Sequence, residues 1–387
     1  MKVIGKYWFF VLFFVTLAIP IYGKVLDGSS TLSGVTDSIN EMYATKETIG
    51  DGTYQTYLNS RWENEFPGRT FLMKLRNQFL YSALDESPNA NVVIGKDKYL
   101  FEPGYIYLEV QAEAPQSTEY FDELGNKLNT LKTILYGNNK ELYVFITPSK
   151  ARYYREYIPD RYMFLDRENE YSYTNYSKLI ETLNANSILY FDSIEYIDTN
   201  KDNMIFQAPV FPKTGDHWTH SWGEGAAVEF VNYVNKHSRF NLGKLSVNEY
   251  SSKAPVAPDT DLYSSLNLAL AAEDSWYGAN VVVDSESDKP NVFIRGGSFT
   301  FQSLNLLINA GIFGEDVHIS NQVCFMNNYS EQIRMSGYSG YTEVDIDSLV
   351  GKSDIIVLEV NEAAIKNMSF RFIDYLIEHP EYLDEDY

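Results

Sequence analysis

Two short stretches of the chain place reactive side chains in backbone contexts suited to nucleophilic chemistry. In Arg295-Gly296-Gly297-Ser298-Phe299, a serine follows two glycines and lies between an apolar run at Val292–Ile294 and a helical pattern at Phe301–Ile308. Glycines permit a tight turn and close approach of a ligand, and the start of the following helix offers amides to developing negative charge. Ser298 thus stands where a nucleophile would, although the same position suits an ordinary helix cap. The second stretch is Lys213-Thr214-Gly215-Asp216-His217-Trp218-Thr219-His220. A serine needs a base within hydrogen-bond reach, and histidine has the side-chain pKa nearest the working pH. His217, one of five histidines, is the candidate; simple packing beside Trp218 in a surface loop is the plainer alternative. A zinc site from His217 and His220 is disfavoured by the lack of a nearby cysteine or third ligand.

These residues need a scaffold that brings distant loops together. Leu142–Ile146, Ile188–Phe191, Val292–Ile294, Val317–Ile319 and Ile355–Val360 are short apolar runs of the kind that form strands buried on both faces. Helical patterns at Tyr120–Leu135, Tyr176–Leu183, Gly223–Val234 and Phe301–Ile308 alternate with them, as crossover helices of a parallel sheet do. The fold class expected is α/β, a three-layer domain whose ligands bind at the carboxyl edge of the strands. Ahead of it, Tyr54–Leu84 reads as two helices meeting at Pro67-Gly68, and Val92–Ile94 and Tyr99–Phe101 flank a hairpin turn. Ser246–Asp261 reads as an inserted loop, and a boundary near Pro115 separates an N-terminal helical and hairpin part, 54–115, from the rest of a domain spanning 54–387.

Lys2 and Lys6 precede an uncharged apolar run from Tyr7 to Tyr22, which reads as an export signal with the positive end inside. Residues 1–23 are then a cleaved signal peptide or an uncleaved anchor; Ile21 near the possible cleavage point favours the anchor. Residues 24–53 are rich in Ser, Thr and Gly and read as a stalk, leaving the body outside the cytoplasm. The net charge of −22 argues against a nucleic-acid partner, which would need a basic surface. The single cysteine, Cys324, excludes an internal disulfide and a thiolate metal cluster and reads as a small buried hydrophobe. Aromatic residues make up 15% of the chain, with 31 tyrosines, which suits core and strand positions or platforms for sugar stacking.

The string Thr214-Gly215-Asp216-His217-Trp218-Thr219, with Gly225-Ala226 beyond it, resembles the signature of the DHHW and alginate O-acetylation (AlgX/AlgJ-like) proteins, a branch of the SGNH hydrolase-like superfamily. In that branch the histidine motif precedes the serine motif, as His217 precedes Ser298. Glu65-Phe66-Pro67-Gly68-Arg69, the hairpin Val93 to Phe101, Thr147-Pro148-Ser149-Lys150, Tyr157-Ile158-Pro159, Asp261-Leu262-Tyr263 and Asp354 to Glu362 are similar to further landmarks in order. Two positions depart. Gly215 stands where the family usually has an aspartate, with Asp216 adjacent instead, and Gly297 precedes the serine where SGNH motifs commonly carry aspartate.

The resemblance implies a flavodoxin-like SGNH domain that performs acyl transfer. Ser298 would take an acetyl group with His217 as base and pass it to a hydroxyl of a bacterial polysaccharide, or to water as an esterase. Asp216, a backbone carbonyl or nothing would orient the imidazole. Gly297, Phe299, Arg295 and Trp218 are the candidate oxyanion or substrate residues. A membrane-bound O-acyltransferase is the implied partner and acetyl donor, and neither metal nor diffusible cofactor is required. A noncatalytic glycan-binding or scaffold member of the same family is the alternative, favoured by the two glycines and opposed by retention of Ser298 and His217.

Overall fold

The computed structural model describes residues 7, 10, 11, 13, 14, 18, 21–23, 25, 27, 31–34, 41–167, 170–203, 205–252, 259–315, 318–321 and 346–383. The chain divides into two compact units, Met1–Ile94 with Asp261–Ala272, and Gly95–Thr260 with Glu273–Tyr387. The division thus falls at Gly95 rather than near Pro115, and the segment that returns to the first unit begins at Asp261, the last residue of the expected inserted loop. Half of the apolar run at 7–22, and Cys324, lie outside the described residues. Among those described, no helix is long and apolar enough to cross a membrane.

In the first unit, helices Thr53–Glu65 and Arg69–Phe79 meet at the expected Pro67-Gly68 bend, where Gly68 adopts φ 87°. A short helix, Lys46–Gly50, capped by Thr45, stands within the segment expected to be a plain stalk. The returning segment contributes a helix, Asp261–Ser265, and is held by side chains of this unit. Asn77 Nδ2 donates to the Leu266 carbonyl at 3.0 Å, Asn89 Nδ2 to Ser265 Oγ at 3.1 Å, and the Tyr81 and Tyr263 rings meet edge to face. The strand β1, Val93–Ile94, ends the unit.

The second unit begins with a turn and the strand β2, Leu100–Phe101, and is built on a five-stranded sheet. Its strands are β3 (Glu141–Thr147), β4 (Tyr190–Asp192), β7 (Val292–Gly296), β8 (His318–Asn321) and β9 (Ile355–Asn361). All pairings are parallel and the spatial order is β4-β3-β9-β7-β8, so the last strand in sequence is the central one. Every residue of β7 and β9 is buried, which explains the apolar runs Val292–Ile294 and Ile355–Leu358 within them. Each expected strand run therefore joins one sheet.

Alternation along the strands sends side chains to two cores. Leu142, Val144 and Ile146 with Ile356, Leu358 and Val360 pack against helices Thr118–Gly137, Asn175–Ala185 and Phe372–Glu378. Phe121, Leu124, Leu128, Leu131 and Leu135 recur at helical spacing in the first of these, and Ser117 caps it by accepting the Tyr120 amide. Tyr143 and Phe145 with Val292, Ile294, Ile355 and Val357 pack against helices His220–His237 and Thr300–Asn309. Helices thus cover both faces in the three layers expected. Leu245–Ser252, expected within a loop, is instead the strand β5, paired antiparallel with β6 (Trp276–Val283). Its polar residues hid it, because a two-stranded ribbon needs no apolar run on both faces.

Candidate active site

The carboxyl ends of β3, β9 and β7 lie side by side, with Thr147 in register with Asn361. Past the end of β7 the chain turns through Gly297, Ser298 and Phe299 into the helix Thr300–Asn309. Before the helix His220–His237 comes the loop carrying His217. These two loops bring His217 Nε2 to 2.7 Å from Ser298 Oγ across 81 positions of sequence. That is the geometry a serine nucleophile needs of its base.

The imidazole is held on its flank by Phe299, whose ring centroid lies 4.9 Å away. Phe299 is itself enclosed and packs against Trp218 and Phe211. The loop is tied down from several sides. Lys150, fully buried, donates from Nζ to the carbonyls of Gly215 at 2.6 Å and Lys213 at 3.0 Å. Thr214 donates from its amide and hydroxyl to Asp274 Oδ2, and its hydroxyl also reaches the Asp259 carbonyl.

Beneath the serine lies a carboxylate that sequence reasoning gave no role. Glu359, on the central strand, is 1% exposed. Its Oε1 accepts the Thr147 hydroxyl and its Oε2 the Gly297 amide, both at 2.5 Å. Burial pushes its pKa above the usual carboxylate value, opposed by these two hydrogen bonds and by the charges of Arg295 and His217. Asn361 donates to the Pro148 carbonyl at 2.7 Å and accepts the Ala363 amide. Beyond it, Glu362 receives the Ser149 amide and a forked pair of bonds from Arg152. A pocket of about 170 Å³ opens at this edge, lined by Ser298, Tyr105, Glu359, Asn361, Asn367 and Met368 among others.

The remaining candidates fall into different places. Among the described residues no acceptor is bonded to the amides of Ser298 or Phe299, which border the pocket. The Gly297 amide is committed to Glu359, so Gly297 lines the pocket but is not an oxyanion donor. Trp218, a substrate candidate, is fully buried against Phe145 and Phe299. It follows His217 directly, and neighbours in an extended segment face opposite ways. Arg295 is also fully buried, donating to the Gly296 carbonyl, and supports the turn rather than facing a ligand. Asp216 is 3% exposed. His220 turns away toward Glu224, 3.5 Å from Nδ1. A glutamate inside the apolar run Ile355–Val360 and a lysine just past the apolar run Leu142–Ile146 were the signals for Glu359 and Lys150.

Comparison with known proteins matches residues 92–291 to the family described as SGNH hydrolase-like domain, acetyltransferase AlgX. The matched range contains His217 and ends shortly before Ser298. No curated protein matches the sequence. Among solved structures, the O-acetyltransferase domain of Pseudomonas putida AlgJ is 17% identical, with 74% of this chain and 99% of that one covered at a TM-score of 0.44. Pseudomonas aeruginosa AlgX is 12% identical, with 73% and 67% covered at 0.44. Bacillus cereus PatB1 is 11% identical, with 73% and 100% covered, also at 0.44.

Proposed function

This chain belongs to the AlgX family of SGNH hydrolase-like domains, and from that premise we propose that it is an O-acetyltransferase or acetylesterase acting on hydroxyls of a bacterial polysaccharide. The observation that carries the reading is the 2.7 Å contact between His217 Nε2 and Ser298 Oγ at the mouth of a pocket. In the first step Ser298 Oγ bonds to the carbonyl carbon of an acetyl donor while its proton passes to His217. The amides of Ser298 and Phe299 receive the negative charge on the carbonyl oxygen, a contribution of about 10²–10³ in rate per donor. The bond to the leaving group then breaks, and His217 returns the proton to the departing oxygen. In the second step a sugar hydroxyl gives its proton to His217, bonds to the acyl carbon, and displaces Ser298 Oγ, which takes the proton back. Water in place of the sugar makes the same site an esterase.

Lys2, Lys6 and the apolar run after them support an extracytoplasmic body held or exported through the N-terminus. A membrane-bound O-acyltransferase is the partner that would supply acetyl groups there. Gly215 at the usual aspartate position favours a second reading, a noncatalytic glycan-binding or scaffold member of the family. Intact mass after incubation with p-nitrophenyl acetate separates the two. A gain of one acetyl in the wild type, lost in Ser298→Ala, supports the enzyme, and no gain in either supports the scaffold.

A further inference from the structure

We infer that Glu359 is the positioning residue of the nucleophile turn, holding the Gly297 amide so that the amides of Ser298 and Phe299 alone face the acyl oxygen. The inference rests on Ser298 as nucleophile. Strand alternation puts Ile355, Val357 and Glu359 on one face of the central strand, and Thr147 and Gly296 on the same face of its two neighbours. All three strand ends therefore converge on the Glu359 carboxylate. Gly296 makes the room: a Cβ there would lie 2.5 Å from both Cβ and Oε2 of Glu359. The carboxylate is anchored from one side by Thr147 and grips the turn from the other through the Gly297 amide.

This contact decides which amides remain for chemistry. Three successive amides enter the turn, at Gly297, Ser298 and Phe299. Glu359 takes the first, and Thr300 N turns back to the Gly297 carbonyl at 3.3 Å, as does its hydroxyl at 2.7 Å. The turn is thereby pinned by its first residue at both its N–H and its C=O. Among the described residues Glu359 makes no hydrogen bond to Ser298 or His217, so it is not a third member of the reacting pair. Its route to the reaction runs through the Gly297 backbone. Such a grip does not require a charge, because glutamine in the same shape accepts the amide through its oxygen and donates to Thr147 Oγ1, which has acceptor capacity.

The test measures acylation of Ser298 by p-nitrophenyl acetate in the full chain, with wild type, Glu359→Gln, Glu359→Ala and Glu359→Asp, each checked for cooperative unfolding. The Ala and Asp variants are expected to lose about tenfold to hundredfold in kcat with KM little changed, the scale of a small misplacement of reacting groups. Asp is included because it keeps the carboxylate yet is one methylene too short to reach from β9 to the Gly297 amide, so it decides the matter if Ala does not fold. Glu359→Gln is expected to recover most of the lost rate. Folded Ala or Asp variants that acylate at the wild-type rate, or a Gln variant as slow as Ala, overturn the inference while leaving Ser298 as nucleophile. A wild type that never acylates overturns both.

Discussion

Lys150 Nζ donates to the carbonyl of Gly215 at 2.6 Å, at the position where related motifs usually carry an aspartate. The lysine is fully buried at the start of a short helix after β3 and lies over the rings of Tyr99 and Phe101. It therefore holds the backbone of the histidine loop two residues ahead of the base. Lys150→Met keeps the stem and removes the donors, leaving the Gly215 carbonyl short of its bond, while the Lys213 carbonyl still accepts the Leu100 amide. The expected cost is roughly 1–3 kcal/mol in stability for the Gly215 carbonyl left buried and unsatisfied. Acylation should slow as well, because His217 loses its fixed approach. Urea unfolding and the p-nitrophenyl acetate burst measure the two effects, and unchanged kinetics would separate Lys150 from the site.

Asp216→Asn should lower acylation far less than the ~10⁴ seen when a triad carboxylate is neutralised. The reason is that Asp216 is the immediate neighbour of His217, and adjacent side chains in an extended segment face opposite ways. His217→Ala in parallel should abolish the burst. An Asp216→Asn loss as large as that of His217→Ala would make Asp216 the orienting group after all.

Gly296→Ala should be destabilising by about 1–3 kcal/mol, the usual cost of overpacking a core. The added methyl would meet Glu359 Cβ and Oε2 at 2.5 Å and Thr300 Cγ2 at 2.8 Å. Since Glu359 holds the turn, activity should fall with stability. Gly297→Ala meets Glu359 Oε2 at an ordinary 3.4 Å and should be milder. Thermal melts of both variants test the ranking.

Stability should depend on pH through Glu359. Burial raises its folded pKa above the usual 4.5, so between that value and the higher folded one the native chain binds more protons than the unfolded chain. Stability contributed by this group is thus present at low pH and lost as pH rises through that window. Glu359→Gln carries no such loss, so its advantage over wild type should grow as pH rises above the usual carboxylate value. Arg295 and His217 face the carboxylate and oppose the shift, the latter through its own charge. Repeating the comparison in a His217→Gln background removes that contribution. A gap between the two proteins that stays flat with pH would count against the assignment.

Protease added to intact cells should remove the globular part if Lys2, Lys6 and the apolar run direct the chain outward. Survival of that part beside a digested surface control would place it inside.

The chain's own residues determined the elements and the motifs that carry Ser298 and His217. Apolar runs such as Leu142–Ile146 and Ile355–Val360 specify strands because a strand buried on both faces admits little else, and Phe121, Leu124 and Leu128 specify a helix by their spacing. Gly296-Gly297-Ser298 and Asp216-His217-Trp218 were legible because turn chemistry and base chemistry depend on residue type. The tertiary structure decided what depends on neighbours across the sheet. Placing β9 between β3 and β7 sets Glu359 under Ser298, a position no local pattern encodes. The polar strand Leu245–Ser252 was hidden because its partner lies more than twenty residues on, at Trp276–Val283. The same limit explains Trp218 and Arg295: residue type marked them as ligand contacts, but burial on the far side of their own backbones made them supports. Side-chain direction and strand order are long-range outcomes of packing, and they turned a serine and a histidine 81 positions apart into one site.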